Sequence, residues 1–373
     1  MARQRTKDSL AEFQRRLLEW FHVNRRDLPW RRTRDAYRVW ISEIMLQQTR
    51  AAAVLPYYRR FLRAFPRLRA LARAREERVL KAWSGLGYYS RARNLLRAAR
   101  IIQSRHGSRF PRSVGEALAL PGVGAYTARA VLSIAYGEPL AVLDGNVARV
   151  IARREAIEGD LSAPARWKEL QALADRWLDA GSPGDWNQAM MELGATVCTP
   201  RQPRCGACPV REGCKALRLG LADRLPERRA KSAPVRVRVA AAVLLDGVGR
   251  TLLVRSPAKA TAQNESRPEG LGPIFSRLWH FPAVVSTADS RTDLERHLSA
   301  ELLLDGAARW QAISAIRHAI TFRDVTIEPW LIHVEELASG AGKIVALEAA
   351  GRMAISSASR KIAAAALARL GGE

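Results

Sequence analysis

Apolar residues recur at spacings of three and four through most of the first 219 residues of this chain. Such spacing places the apolar side chains on one face of a helix, so we predict successive amphipathic helices from about residue 10 to residue 219. Short breaks that contain Gly or Pro separate them, and strand signals are scarce in this part. The clearest predicted helical segments are residues 68–83, 91–102, 114–120, 126–136 and 167–180.

The pattern changes at a charged, Pro-flanked stretch, residues 226–234, which is typical of a linker. Beyond it, residues 235–245 begin with a strict alternation of Val and Arg, which predicts a half-buried strand, and residues 251–254 are its predicted hairpin partner. Residues 257–272 are polar and irregular and predict a loop. A further strand is predicted at 325–333 and a closing helix at 357–370, so the second domain should be α+β.

These patterns divide the chain into two domains joined by a linker, in keeping with its 373 residues. We place the helical domain at residues 1–224, the linker at 225–236 and the second domain at 237–373.

The charge balance points to a polyanionic partner. Lys and Arg number 61 against 36 acidic residues, a net charge of +25, and 53 of the 61 are Arg. Basic surfaces bind phosphates by releasing counterions, which favours nucleic acid, although a genome biased toward Arg codons would also raise the Arg content. The N-terminus lacks the apolar core of a secretory signal and no run of 18 apolar residues occurs, so we expect a cytoplasmic protein outside the membrane.

All four cysteines fall within 17 residues, with the spacing C-x6-C-x2-C-x5-C. Disulfides are rare in cytoplasmic proteins, so this grouping predicts a metal site. The site is either zinc in a tetrahedron of four thiolates or a [4Fe–4S] cluster, and the spacing alone does not separate the two. The predicted ligands are Cys198, Cys205, Cys208 and Cys214.

Residues 120–130, LPGVGAYTARA, join two apolar helical stretches. Pro121 ends the first stretch, and Gly122 and Gly124 allow a sharp turn that approaches another surface closely. A second helix starting near Ala125 would direct its free N–H groups outward, which is a means of binding phosphate. A plain αα-hairpin turn would also favour these residues. We predict a hairpin over about 114–136 that contacts the DNA backbone through Gly122, Val123 and Gly124.

Two carboxylates stand out. Asp144, in VLDGNVARV, ends an apolar run beside Gly145, where a helix N-cap is expected and capping alone would account for it. Glu43, in VWISEIMLQQT, lies among Trp40, Ile41 and Met45, so its pKa should be raised. One carboxyl kept protonated and one kept ionised is the pair that cleavage of a glycosidic bond requires.

Several blocks of the sequence together resemble those of the helix–hairpin–helix DNA glycosylases that carry an iron–sulfur cluster. The chain is more closely similar to the adenine DNA glycosylases of the MutY family over about residues 9–219, and more loosely similar to the Nudix-like C-terminal domain of that family over about 235–370. The blocks are WISEIMLQQT, GLGYYSRARNL, LPGVGAYTARA, VLDGNVARV, NQAMMELGATVC, the cysteine spacing and SRLWHFP. The resemblance implies a mainly α glycosylase domain with a [4Fe–4S] loop at 198–214, followed by an α+β Nudix-like domain.

The resemblance implies removal of adenine mispaired with 8-oxoguanine or guanine in duplex DNA. Glu43 would protonate the flipped adenine and Asp144 would stabilise the positively charged sugar. Tyr126 and Asn146 would position these two groups. Trp30, Arg31 and Gln188 would line the adenine pocket, while Gln48 and Tyr88 would wedge into the duplex. The protein is expected to act on this DNA as a monomer, and in a bacterial-type cell to be associated with the nucleoid.

Two alternatives to adenine removal are a glycosylase that also nicks the strand and a protein that binds damage without catalysis. Glycosylases that resemble endonuclease III attack oxidised pyrimidines and also nick the strand, using a Lys nucleophile two residues after the last Gly of the hairpin. That position is Tyr126 here, and no Lys occurs between Lys81 and Lys168, so we expect base removal without nicking. A damage-binding protein without catalysis would retain the fold but not the chemistry, and the presence of Glu43 and Asp144 argues against it.

The C-terminal domain departs from the family pattern. Residues 294–306, LERHLSAELLLDG, lack the Glu-rich box of a Nudix hydrolase, so this domain should bind rather than catalyse. The family reads the lesion with Phe-Ser-His. Aligned on Arg317 and His318, these three positions are Ile320, Thr321 and Phe322 here, and Thr321 would hydrogen-bond the oxidised guanine. Alternatively, the segment is a strand end with Phe322 in the core.

Overall fold

The computed structural model describes residues 2–227, 233–255, 271–275, 278–302, 309–320 and 323–371. The chain forms two compact units. The first contains Met1–Arg73 and Asn94–Ala230, and the second contains Ala74–Arg93 and Lys231–Glu373. A short segment from the N-terminal half therefore belongs to the same unit as the C-terminal region.

Among the described residues up to 227, every regular element is a helix, as the apolar spacing predicted. The helices are α1 (Ala2–Asn24), α2 (Ala36–Leu46), α3 (Ala51–Ala64), α4 (Leu68–Ala72), α5 (Glu76–Trp83), α6 (Tyr89–Arg105), α7 (Val114–Leu118), α8 (Ala125–Tyr136), α9 (Gly145–Glu155), α10 (Pro164–Trp177), α11 (Pro183–Thr196) and α12 (Lys215–Arg218).

The prediction of one continuous helical segment over residues 68–83 was wrong, because α4 and α5 are separate helices. Arg75 has an extended backbone (φ −70°, ψ 141°) that interrupts the helical path. Glu76 and Glu77 then occupy the first turn of α5, where acidic side chains favour a new helix N-terminus.

Aromatic side chains fill a core between α1, α9, α10 and α11 in the first unit. Phe13 of α1 packs edge-on against Trp177 and Trp186, with ring centroids 5.4 Å and 5.3 Å apart. Gly194 of α11 lies so close to α9 that a Cβ there would be 2.7 Å from the Asn146 Cβ. The absence of a side chain at Gly194 therefore allows α11 to approach the start of α9.

The described residues of the second unit form a mixed sheet of seven strands. The strands are β1 (Val235–Leu245), β2 (Arg250–Leu253), β3 (Ala283–Val285), β4 (Arg309–Ala312), β5 (Ile316–Ile320), β6 (Arg323–His333) and β7 (Lys343–Ala346). The central pair, β1 and β6, is parallel and aligns Val235 with Arg323 through Leu245 with His333. The order is β4-β6-β1-β2-β7, with β3 on β1 and β5 on β6.

Helices cover both faces of this sheet. On one face, Val239 and Val243 of β1 share a core with Phe275 and with Ile362 of the last helix. On the other face, Leu244 of β1 packs with Leu294 and Leu298. The helices of this region are α13 (Gly272–Phe275), α14 (Ser290–Leu302), α15 (Leu347–Ala350) and α16 (Ser357–Leu370). The α+β prediction for this region is confirmed, as are the β1–β2 hairpin and the closing helix.

Residues 228–232 of the predicted linker and most of the predicted loop at 257–272 lie outside the described residues. Within the described part of the chain, no helix combines the length and apolar character needed to cross a membrane.

Candidate active site

The predicted hairpin is formed by α7 and α8 and the turn between them. Gly122 has φ +78°, and a Cβ on it would lie 2.8 Å from the Asn94 Cβ, so conformation and space both require glycine. Gly124 is the N-cap of α8, and no side-chain hydrogen bond caps this helix. Because the Val123 side chain is buried, the turn presents backbone to solvent, including the N–H groups that begin α8.

Tyr126, in the first turn of α8, connects the hairpin to Glu43 of α2. The Tyr126 hydroxyl donates to Glu43 Oε2 at 2.8 Å. Glu43 is only 4% exposed. Burial raises its pKa to about 7, with a smaller raising effect from Asp144 and opposing effects from Tyr126 and Arg31. Burial also raises the pKa of Tyr126 well above its usual value, so this phenol remains a donor. Glu43 therefore keeps its proton well above the pH at which an exposed Glu ionises.

Asp144 is the N-cap of α9, and it also faces the cavity that Glu43 lines. Its Oδ1 accepts from the Val147 N–H at 2.7 Å and its Oδ2 from Asn146 Nδ2 at 2.9 Å. Burial raises the pKa of Asp144, but these hydrogen bonds favour its charged form. These donors favour the ionised form at Asp144, whereas burial favours the protonated form at Glu43.

A cavity of about 840 Å³ brings most of the predicted site residues together. This volume lies within the range of small-molecule sites, roughly 300–1,000 Å³. Gln48, at the cavity, has a left-handed backbone (φ +55°) and is exposed. Gln188 donates Nε2 to the Gly184 carbonyl of its own helix at 3.2 Å. The predicted residues that line the cavity are Trp30, Arg31, Glu43, Gln48, Tyr126, Asp144, Asn146 and Gln188.

Glu192 and Arg26 form a charged pair at this cavity that was not predicted from the sequence. Glu192 of α11 accepts hydrogen bonds from Arg26 and from Arg31. Burial by itself raises the pKa of Glu192, but these donors outweigh it and hold the pKa at about 2. The sequence does contain an indication of Glu192. It lies one helical turn after Gln188, between Met191 and Leu193, where an acidic side chain is unexpected.

Arg149 of α9 links the cavity to the cysteine loop, residues 198–214. Its Nη2 donates to Asn146 Oδ1 and to the Gly194 carbonyl, both at 2.8 Å. Its Nε donates to the Cys198 carbonyl at 2.8 Å. One buried guanidinium thus fixes Asn146 relative to the first cysteine.

The four cysteines are half-buried and none is in a disulfide. Burial, with smaller raising effects from the other three cysteines, brings the pKa of Cys208 to about 11, so all four lie close enough to interact. Arg153 Nη1 lies 3.3 Å from the Cys198 sulfur and binds the Thr199 carbonyl at 2.7 Å. Among the described residues, no group of three or more His, Cys, Asp or Glu is arranged to hold a single metal ion. A four-iron cluster is larger than one ion, and four neighbouring thiols with a nearby cation fit it.

Tyr88 belongs to the second unit, with φ +46° and 38% exposure. The Arg91 guanidinium lies 5.2 Å from its ring centroid. The loop before it is held by the adjacent Tyr89, whose hydroxyl donates to the Ile355 carbonyl at 3.1 Å and accepts from the Gly85 N–H at 3.2 Å. The C-terminal region thus fixes the loop that presents Tyr88. Thr321 and Phe322, predicted to read the lesion, lie outside the described residues, between β5 and β6.

A known protein family matches the region that holds the hairpin and both carboxyls, and a solved structure resembles this chain. A family model described as "HhH-GPD superfamily base excision DNA repair protein" matches residues 41–177. A solved structure of a thermostable thymine-DNA glycosylase is 32% identical to this chain, with a TM-score of 0.53, and the alignment covers 57% of this chain and 99% of that one. The chain belongs to the HhH-GPD superfamily of base excision DNA repair proteins. The hairpin and the two carboxylates therefore lie in the region shared with this superfamily.

Curated relatives in the superfamily include the adenine DNA glycosylase of Homo sapiens, 49% identical over 217 residues, and that of Arabidopsis thaliana, 36% identical over 321 residues. The two alignments cover 56% and 74% of this chain but 40% and 48% of the relatives. The chain thus spans about half the length of the curated relatives it matches.

The model of the iron–sulfur binding domain of endonuclease III matches residues 198–214, the whole cysteine loop. The loop is an iron–sulfur domain and its cofactor is a [4Fe–4S] cluster, which resolves the choice that the spacing left open.

Proposed function

We propose that this protein is an adenine DNA glycosylase that removes adenine mispaired with 8-oxoguanine or guanine and leaves the DNA strand intact. The observation that carries the proposal is the pair of carboxyls in one cavity, Glu43 with a raised pKa and Asp144 bound by two hydrogen-bond donors. The names of the curated relatives support adenine as the base. The resemblance to the MutY family supports the mispair.

The hairpin supports duplex DNA as the substrate. The exposed N–H groups at the start of α8 are suited to a phosphate, and the net charge of +25 favours a polyanion. Tyr126, in the same first turn, contacts Glu43. A nucleotide whose phosphate binds at the turn would have a short path into the cavity when its base leaves the helix.

The proposed reaction uses water and no external reagent. Glu43 transfers its proton to N7 of the flipped adenine, the N9–C1′ bond breaks, and its electron pair remains on the base. The Asp144 carboxylate stabilises the oxocarbenium ion at C1′. Water then adds to C1′ and gives up a proton that restores the Glu43 acid. The products are free adenine and an abasic sugar.

Tyr126 argues against strand nicking. A lyase requires an amine that forms a Schiff base with the sugar, and Tyr126, at the hairpin position where a lyase carries Lys, is a phenol bonded to Glu43. The [4Fe–4S] cluster is assigned a structural role, since Arg149 and Arg153 connect its loop to the helix that carries Asn146.

The test is a single-turnover assay on duplexes with adenine opposite 8-oxoguanine, adenine opposite guanine, and thymine opposite guanine. The thymine duplex is included because a structural relative is a thymine-DNA glycosylase. We expect adenine release, with strand breaks appearing only after alkali. Asp144→Asn should bind the mispair and release no base. Nicking without alkali would indicate endonuclease III-like chemistry, and binding without an abasic product in the unaltered protein would indicate a damage-binding protein.

A further inference from the structure

A cluster of charges around the buried Glu192 carboxylate borders the cavity and takes no part in the proposed reaction. The Glu192 side chain has no exposed surface. Its Oε1 accepts from the Arg26 backbone N–H at 2.9 Å and from Arg26 Nε at 2.8 Å. Its Oε2 accepts from Arg26 Nη2 at 2.7 Å and from Arg31 Nη2 at 2.8 Å. Both carboxylate oxygens are thus bound to cations, and this one side chain connects α11 to the segment that carries both arginines.

Three contacts fix the orientation of Arg31. Besides the bond to Glu192, its Nη1 donates to the Arg26 carbonyl at 3.2 Å, and its guanidinium lies 5.5 Å from the Phe21 ring centroid. The Arg31 side chain is 9% exposed. Its positive charge lowers the pKa of Glu43. A buried cation beside a carboxyl favours the ionised form of that carboxyl, which an acid catalyst must avoid.

We propose that Glu192 is a positioning residue that holds Arg31 at the cavity wall and balances its charge, so that Glu43 keeps its proton. This inference rests on the proposed function. Arg26, Arg31 and Glu192 together carry one net positive charge, and without Glu192 they would carry two. The other charged or titratable residues that line the cavity near Glu43 are Arg50, Tyr126, Asp144 and Arg149.

The inference predicts opposite effects for two substitutions. Glu192→Gln keeps the shape of the side chain but removes its charge, so the pH above which adenine release declines should fall by about one unit. Arg26→Met removes a cation while Arg31 still pairs with Glu192, so the same pH should rise, by roughly half a unit. The Arg26 side chain is 45% exposed, which makes this second substitution the milder one for folding.

The experiment measures the rate of adenine release from a mispaired duplex under single-turnover conditions between about pH 5 and pH 9, for the unaltered protein and both variants. Thermal unfolding of each protein checks that it is folded. The inference is supported if the pH above which adenine release declines moves in opposite directions in the two variants. If this pH is unchanged in both variants, or moves in the same direction in both, the inference is overturned. A merely structural role would lower the rate of release without changing this pH.

If Glu192→Gln does not fold, Arg26→Met decides the question by itself. A rise in the pH above which adenine release declines then supports the inference, and an unchanged pH overturns it. If the unaltered protein releases no adenine at any pH, the proposed function has failed, and the inference fails with it. If it does release adenine but neither substitution changes the pH above which release declines, only the inference has failed.

Discussion

Replacing Glu43 by Gln should abolish base removal and yet stabilise the folded protein above neutral pH. Burial is the main reason that the pKa of Glu43 rises from 4.5 to about 7. A rise of about 2.5 units, at 1.36 kcal/mol per unit, corresponds to about 3 kcal/mol of stability that the folded state loses when this carboxyl ionises. Gln keeps the side-chain shape and can still accept from Tyr126, but it never carries the charge.

The sign of the effect depends on pH. Because the folded pKa lies above the unfolded one, the carboxyl destabilises the fold little below about pH 4.5, increasingly between about pH 4.5 and 7, and by a constant amount above that. The free energy of unfolding of Glu43→Gln should thus match that of the unaltered protein near pH 4 and exceed it by about 3 kcal/mol near pH 8.5.

Urea unfolding at several pH values would measure this difference. Glu158→Gln, at an exposed position, is the matched control and should show no gain that depends on pH. A difference for Glu43→Gln that is the same at all pH values would refute the reasoning, because it would show that the buried carboxyl has no electrostatic cost. Retained adenine release by this variant would refute its role as the acid.

Three other predictions test the parts that surround the carboxyls. Gly122→Ala should lower the free energy of unfolding by about 1 kcal/mol or more and weaken DNA binding in fluorescence anisotropy, because its Cβ would meet Asn94; Gly124→Ala, with open space around its Cβ, should cost less stability. Tyr89→Phe should lower the free energy of unfolding by about 1–2 kcal/mol in urea, since the bonds to Ile355 and to a backbone N–H are lost. The purified protein should be brown, with absorbance near about 400 nm, and removal of iron should lower its Tm; a colourless protein with one zinc would contradict the cluster.

The sequence by itself determined the features that depend on neighbouring residues. The apolar neighbours of Glu43 predicted a raised pKa, and the structure confirms its direction and its cause. The apolar run ending at Asp144 predicted an N-cap, and Asp144 caps α9. The glycines of the hairpin predicted the turn, and the bounds of α8 and of the last helix follow from apolar spacing because that spacing is a property of one helix.

Only the tertiary structure decided which distant side chains meet. Glu192 and Arg26 are 166 residues apart, and the helical pattern of either segment is the same whether or not they pair. Likewise, residues 74–93 belong to the unit of the C-terminal region, where the Tyr89 hydroxyl binds the Ile355 carbonyl across 266 residues. Periodicity specifies which face of a helix is buried but not which partner covers that face. The charges that act on Glu43 from other elements are fixed by how those elements pack, which one segment of sequence does not specify.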